Sequence, residues 1–164
     1  MGACIEFDDG VSIAIPSYIM TSLSQMLATR GFARESGGIL LGKQITGTLA
    51  FELTDASLPS RYDVGKRFSF LRKMQPANRL ISSAWRESNG TINYLGEWHT
   101  HNQANPVPSI TDTGLMQQVV VDGSLLLARG FMLILGNADC AYIGAVNPSN
   151  DKGIYCERRI KWER

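Results

Sequence analysis

Apolar and small positions alternate over residues 11–15, a strand pattern, and the period changes at Pro16 and Ser17. From there Ile19, Met20, Leu23, Met26 and Leu27 recur at helical spacing, and Gly31 ends the run. Residues 37–41 read as a buried strand, and 48–54 as the next, with Gly47 as the turn between them. Residues 57–65 have the character of a loop, and 67–71 of a short strand. A second helix is predicted over 75–88, with Pro76 in its first turn and a stripe of Ala77, Leu80, Ile81, Ala84 and Trp85. Asn89-Gly90 stops it. Residues 92–100 form a strand, and a loop with Pro106 and Pro108 follows. A third helix then covers about 110–121, with Ser109 as its N-cap. Two more strands are predicted over 131–135 and 141–146, while 154–164 suits either a last strand or a short helix. Strands and helices mixed in this order predict an α/β fold, one curved mixed β-sheet flanked by helices.

Length and composition narrow this to a single domain spanning 1–164. The apolar fraction of 44% and charged fraction of 19% are those of a globular protein in water. A net charge of +1 gives no electrostatic case for nucleic acid or a membrane surface. Cys4, Cys140 and Cys156 are odd in number and scattered, which fits a reducing compartment and not a disulfide framework. Glu6, Asp8 and Asp9 stand where a signal peptide would be basic, and no apolar run is long enough to span a bilayer. The expected location is the cytoplasm.

Both histidines of the chain lie in Gly96-Glu97-Trp98-His99-Thr100-His101. Residues i and i+2 of a strand share a face, so His99 and His101 can converge on one metal ion. Asp112 offers a carboxylate as third ligand. Two nitrogens and one oxygen leave one position of a tetrahedral zinc open, the arrangement of a catalytic site. Ser109-x-x-Asp112 before an apolar run also resembles a capping box, which would hold Asp112 toward the histidine strand. Ser109 at that turn can donate a hydrogen bond to an oxyanion. Two carboxylates compete for the role of base. Glu97 shares strand parity with the histidines and suits a ligand, a partner behind a ligand, or the base. Glu35, in Glu35-Ser36-Gly37-Gly38-Ile39-Leu40-Leu41-Gly42, is the other, and spacing does not rank them.

Glu35 in this segment, His99-Thr100-His101, seven intervening residues and Ser109-x-x-Asp112 resemble the JAMM motif of the JAB/MPN metalloprotease family. Leu95-Gly96-Glu97-Trp98 and Pro106-x-Pro108-Ser109 resemble its bacterial stand-alone branch, including the deconjugating protease of CBASS anti-phage operons. The resemblance implies a cytidine-deaminase-like fold and a Zn²⁺-dependent peptidase or isopeptidase. It maps His99, His101 and Asp112 onto the metal ligands, Glu35 onto the general base, and Ser109 onto the oxyanion donor. Glu97 then becomes a supporting residue. Asn102, where many members carry proline, is a departure expected to loosen the loop without removing a functional group.

The implied substrate is a ubiquitin-like or CD-NTase-type protein, bound by its extended C-terminal tail as an added strand near 48–71. Within 61–73, Arg61, Lys66, Arg67, Arg72 and Lys73 alternate with Tyr62, Phe68 and Phe70. That pattern suits a solvated loop and strand, or a surface for the protein partner. Other functions compatible with these residues are processing of a small sulfur-carrier precursor, a RadC-like role in DNA metabolism, and a scaffold that binds a ubiquitin-like partner without cleaving it. The early Glu35-x-Gly-Gly segment and the low charge count against the RadC-like role.

Overall fold

The computed structural model describes residues 2–60, 63–66, 69–71, 74–122, 125–149 and 154–162. Its centre is an eight-stranded mixed sheet in the order β1-β2-β4-β3-β7-β8-β9-β10. These strands are β1 (Ala3–Glu6), β2 (Ser12–Ile15), β3 (Gly37–Gln44), β4 (Ala50–Ala56), β7 (Asn93–Thr100), β8 (Gly130–Leu135), β9 (Cys140–Val146) and β10 (Ile154–Lys161). Val64–Lys66 (β5) and Ser69–Leu71 (β6) pair as a separate antiparallel ribbon. The helices are α1 (Ser17–Arg30), α2 (Met74–Glu87) and α3 (Ile110–Val121).

Strand parity sorts the core into two layers. Leu40, Phe131, Leu133 and Leu135 face α1 and pack with Ile19, Leu23 and Leu27. Ile39, Leu41, Met132 and Ile134 face the other way, with Ala77 of α2 and Met116 and Val119 of α3. Buried on both faces, β3 and β8 read as continuous apolar runs and not as alternating ones. The sheet curves until its edges approach. Tyr155 of β10 donates to Asp9 Oδ2 at 2.6 Å, just beyond β1, and Arg158 pairs with Asp8.

The predicted stops are in place. Gly31 caps α1 at φ 65°, its N–H bonded to Leu27 O at 2.8 Å. Asn89 and Gly90 both take positive φ after α2, where Gly90 N–H bonds Trp85 O at 2.7 Å. The structure resolves one alternative, adds one strand and changes one expectation. The tail is a strand, because β9 offers it a full antiparallel edge. β1, which carries no pattern of its own, forms by pairing with β2. In α2 the predicted stripe is only half used: Ala77 is buried, but Leu80 and Trp85 are exposed because the sheet reaches only one side of the helix. Of the proposed partner surface at 61–73, residues 61–62, 67–68 and 72–73 lie outside the described residues. No helix among the described residues is long and apolar enough to cross a membrane.

β7 and β8 are parallel neighbours, so the chain must cross over between them, and α3 lies in that crossover. The crossover sets the start of α3 above the carboxyl end of β7, where ligands gather in open α/β sheets.

Candidate metal centre

β7 carries an irregularity that sets the phase of the site. Leu40 pairs with Gly96, but Leu41 pairs with Tyr94, so Leu95 is an extra residue. Gly96 takes φ 143° there, and a Cβ would lie 1.8 Å from Phe131 O, so only glycine fits. Beyond it Glu97, His99 and His101 share one parity, while Trp98 turns into the opposite core layer. Trp98 Nε1 donates to Ser57 O at 2.9 Å, across Gly38. A Cβ on Gly38 would meet Ser57 O at 2.2 Å and Trp98 Nε1 at 2.8 Å, which explains that glycine. Gly37 pairs with His99 and presents no side chain beside the imidazole.

His99 and His101 are both buried, with Nε2 atoms 3.1 Å apart. Asp112 Oδ1 lies 3.2 Å from His99 Nε2, and Oδ2 lies 3.3 Å from His101 Nε2. Two ligand atoms on a tetrahedral zinc, each about 2.0–2.1 Å from the ion, stand about 3.3 Å apart. The three donors therefore already hold the spacing that a small divalent cation requires. Among the described residues they form the cluster able to hold a metal ion.

Asp112 is held by the cap that the sequence suggested. Ser109 Oγ accepts the Asp112 N–H at 3.2 Å, and Asp112 Oδ2 accepts the Ser109 N–H at 2.6 Å, a complete capping box. The positive end of the helix dipole adds to this. Burial works against a charge on Asp112, but both imidazoles and the Ser109 amide outweigh it and hold its pKa well below the ordinary carboxylate range. Burial likewise opposes a charge on His101, yet Asp112 and then Glu35 raise its pKa above 6.5. The pocket thus draws positive charge to the point between the three side chains. A bound cation would meet that demand with the imidazoles neutral.

Glu35 reaches the cluster from the other side, with Oε1 3.9 Å from His101 Nε2. Burial, only partly offset by the two histidines, raises its pKa above 4.5. Its backbone is fixed by Thr100, which bonds Ser36 twice. Spacing gave no sign of Thr100. The residue lies inside the motif on the opposite parity, and its role depends on a contact 64 positions away. Glu97 lies outside the ligand cluster and is buried, where it accepts the Tyr94 hydroxyl at 2.6 Å. Asn102, where many family members carry proline, contributes a hydrogen bond of its own. Its Oδ1 accepts Asn137 Nδ2 at 2.7 Å, and Asn137 N–H bonds Gln103 O at 2.8 Å, tying the loop to the β8–β9 turn.

Comparison with known proteins bears on the fold and the family. The solution structure of a Desulfitobacterium hafniense protein superposes with a TM-score of 0.51, at 19% identity, over 83% of this chain and 85% of that one. It supports the fold. A protein of Escherichia coli strain TW11681 named CD-NTase/cGAS isopeptidase is 34% identical over 82% of this chain and 81% of its own length. Its namesake in Vibrio cholerae serotype O1 is 32% identical over 77% and 78%. A third, from Pseudomonas aeruginosa, is 41% identical over 48% of each chain. The profile of prokaryotic homologs of the JAB domain matches residues 21–147, a span that holds Glu35, both histidines, Ser109 and Asp112. This chain belongs to the prokaryotic JAB family.

Proposed function

We propose that the chain is a cytoplasmic, zinc-dependent isopeptidase that releases the C-terminus of a CD-NTase-type protein from a target amine, in bacterial anti-phage (CBASS) signalling. The observation that carries this reading is the convergence of His99, His101 and Asp112 with the Glu35 carboxylate 3.9 Å from His101. The substrate class follows the name of the relatives.

His99, His101 and Asp112 would hold a zinc ion, which would supply Lewis acidity and lower the pKa of water to about 7. Glu35 takes a proton from the attacking water and returns it to the departing amine. Ser109 Oγ uses a lone pair in the cap, which leaves its O–H to donate to the carbonyl oxygen as negative charge develops there. One water is consumed, the C–N bond breaks, and a carboxyl group and an amine result. No covalent enzyme intermediate is needed, so the three cysteines take no part.

β2 covers only Ala50, Phe51 and Glu52 of β4, so residues 53–56 have β3 alone as strand neighbour among the described residues. An extended C-terminal tail added beside residues 53–56, where the Tyr18 hydroxyl donates to Thr54 O at 2.7 Å, would run toward Ser57, which bonds Trp98 beside His99.

The test is incubation of the purified chain with a CD-NTase-type protein joined through its C-terminus to a lysine peptide, read by intact mass. Cleavage into the free protein and free peptide is expected, abolished by chelator and restored by zinc. An intact conjugate in the presence of zinc would contradict the reading. A sulfur-carrier precursor with residues beyond its Gly-Gly end, run in parallel, is expected to be the poorer substrate.

A further inference from the structure

Beside Glu35 lies a cleft of about 450 Å³, within the range of sites that hold a small ligand. Glu35 contributes to its wall, with Arg30, Arg34, Pro59, Ser60 and Asp63 around it. Arg30 ends α1, and Arg34 lies in the short connection to β3, so both project from the segment that carries Glu35. The two carboxylates of the cleft are engaged. Glu35 faces His101, and Asp63 Oδ2 accepts the Ser60 N–H at 2.7 Å. The two guanidinium groups are not: among the described residues neither has a carboxylate within ion-pair distance. The cleft therefore offers, beside the base, two cations with no carboxylate partner among the described residues.

The direction of proton transfer decides which part of a substrate enters. Glu35 gives its proton to the departing amine, so the amine side of the scissile bond must face Glu35. The carbonyl oxygen faces Ser109, on the α3 side. We infer that this cleft is the subsite for the amine-bearing target, and that Arg30 and Arg34 select target lysines with a carboxylate side chain next to them. The inference rests on the isopeptidase reading, whose sense of proton delivery it uses. Arginine suits the task because its fork of N–H donors matches a carboxylate and never loses its charge.

The probe is a CD-NTase-type protein joined through its C-terminal carboxyl to the lysine ε-amine of a five-residue peptide. The lysine is flanked by glutamates, alanines or arginines. The glutamate form is expected to show kcat/KM about tenfold above the alanine form, the size of one charge-assisted contact. The ratio should fall to about twofold or less in an Arg30→Ala, Arg34→Ala double variant. Arg34→Glu should reverse the order and favour the arginine-flanked peptide, an outcome that misfolding cannot produce. Equal cleavage of all three conjugates by the unaltered chain would overturn this inference and leave the isopeptidase reading standing. An Arg34→Glu variant that keeps the glutamate preference would also overturn it. Failure to cleave any conjugate with zinc present would overturn both.

Discussion

Thr100 grips Ser36 from two sides: its hydroxyl accepts the Ser36 N–H at 2.9 Å, and its own N–H donates to the Ser36 carbonyl at 2.8 Å. The strand with both histidines is thereby joined to the residue that follows Glu35. Thr100→Val keeps the shape and removes the acceptor, leaving the buried Ser36 N–H without its partner. The expected cost is about 1–3 kcal/mol of stability, read by chemical denaturation. The zinc content should be kept while kcat falls, because the change reaches Glu35 and not the ligands. A variant with unaltered stability and rate would show that the Thr100 hydroxyl does not position the base.

Ser109 seats Asp112 through the capping box, and one substitution pair tests this. Ser109→Ala breaks the capping box and should cost about 1 kcal/mol of stability. It should also weaken zinc binding by about 10–100-fold, since Asp112 loses its anchor. Ser109→Thr retains a capping hydroxyl and should retain most of the zinc affinity, as measured by competition with a chelating dye. Equal zinc affinity in all three proteins would show that the cap does not seat Asp112.

Glu35 and Glu97 are separated by the same logic. Glu35→Gln should bind zinc normally and lose about 10²–10⁴-fold in kcat, the contribution expected of a general base. Glu97→Gln keeps an acceptor for the Tyr94 hydroxyl and should cleave within a few-fold of the parent. The opposite ranking would transfer the role of base to Glu97.

The clamp across the sheet edges has a pH signature. Burial raises the Tyr155 pKa from 10.0 to about 12, and the Asp9 carboxylate adds to this. A raised pKa contributes stability that is complete below pH 10.0 and is lost as pH climbs from there through about 12. Asp9 behaves in the opposite sense. Burial raises its pKa, but Tyr155, the Val11 amide and Arg129 outweigh it, so its pKa falls below 3.8. Its contribution is complete above 3.8 and is lost as pH falls further. Denaturation against pH should show the stability advantage over Tyr155→Phe shrinking on the alkaline side. The advantage over Asp9→Asn should shrink on the acid side. Flat differences at both extremes would exclude the clamp.

Much of this was legible in the chain. The three helices and their ends follow from apolar spacing with Gly31, Asn89-Gly90 and Ser109 as stops, and β3, β4 and β7 to β9 from apolar runs between turn residues. The convergence of His99 and His101 follows from strand parity alone. Sheet order was not legible, because β4 inserts between β2 and β3 through contacts that no local pattern encodes. The reach of Glu35 to His101 is of the same kind: 65 residues of chain lie between them, and only the resemblance singled Glu35 out. Parity also put Glu97 with the histidines but could not show that the Tyr94 hydroxyl engages it. That pairing depends on the extra residue at Leu95, which brings positions 94 and 97 to one face.

The most direct test of the metal centre is metal analysis of the purified chain beside His99→Ala and Asp112→Asn, with cleavage measured on the same samples. The geometry predicts about one zinc per parental chain, a substantial loss in both variants, and activity that tracks zinc content through chelation and reloading. A parental chain that cleaves the conjugate at full rate with no bound metal would contradict it.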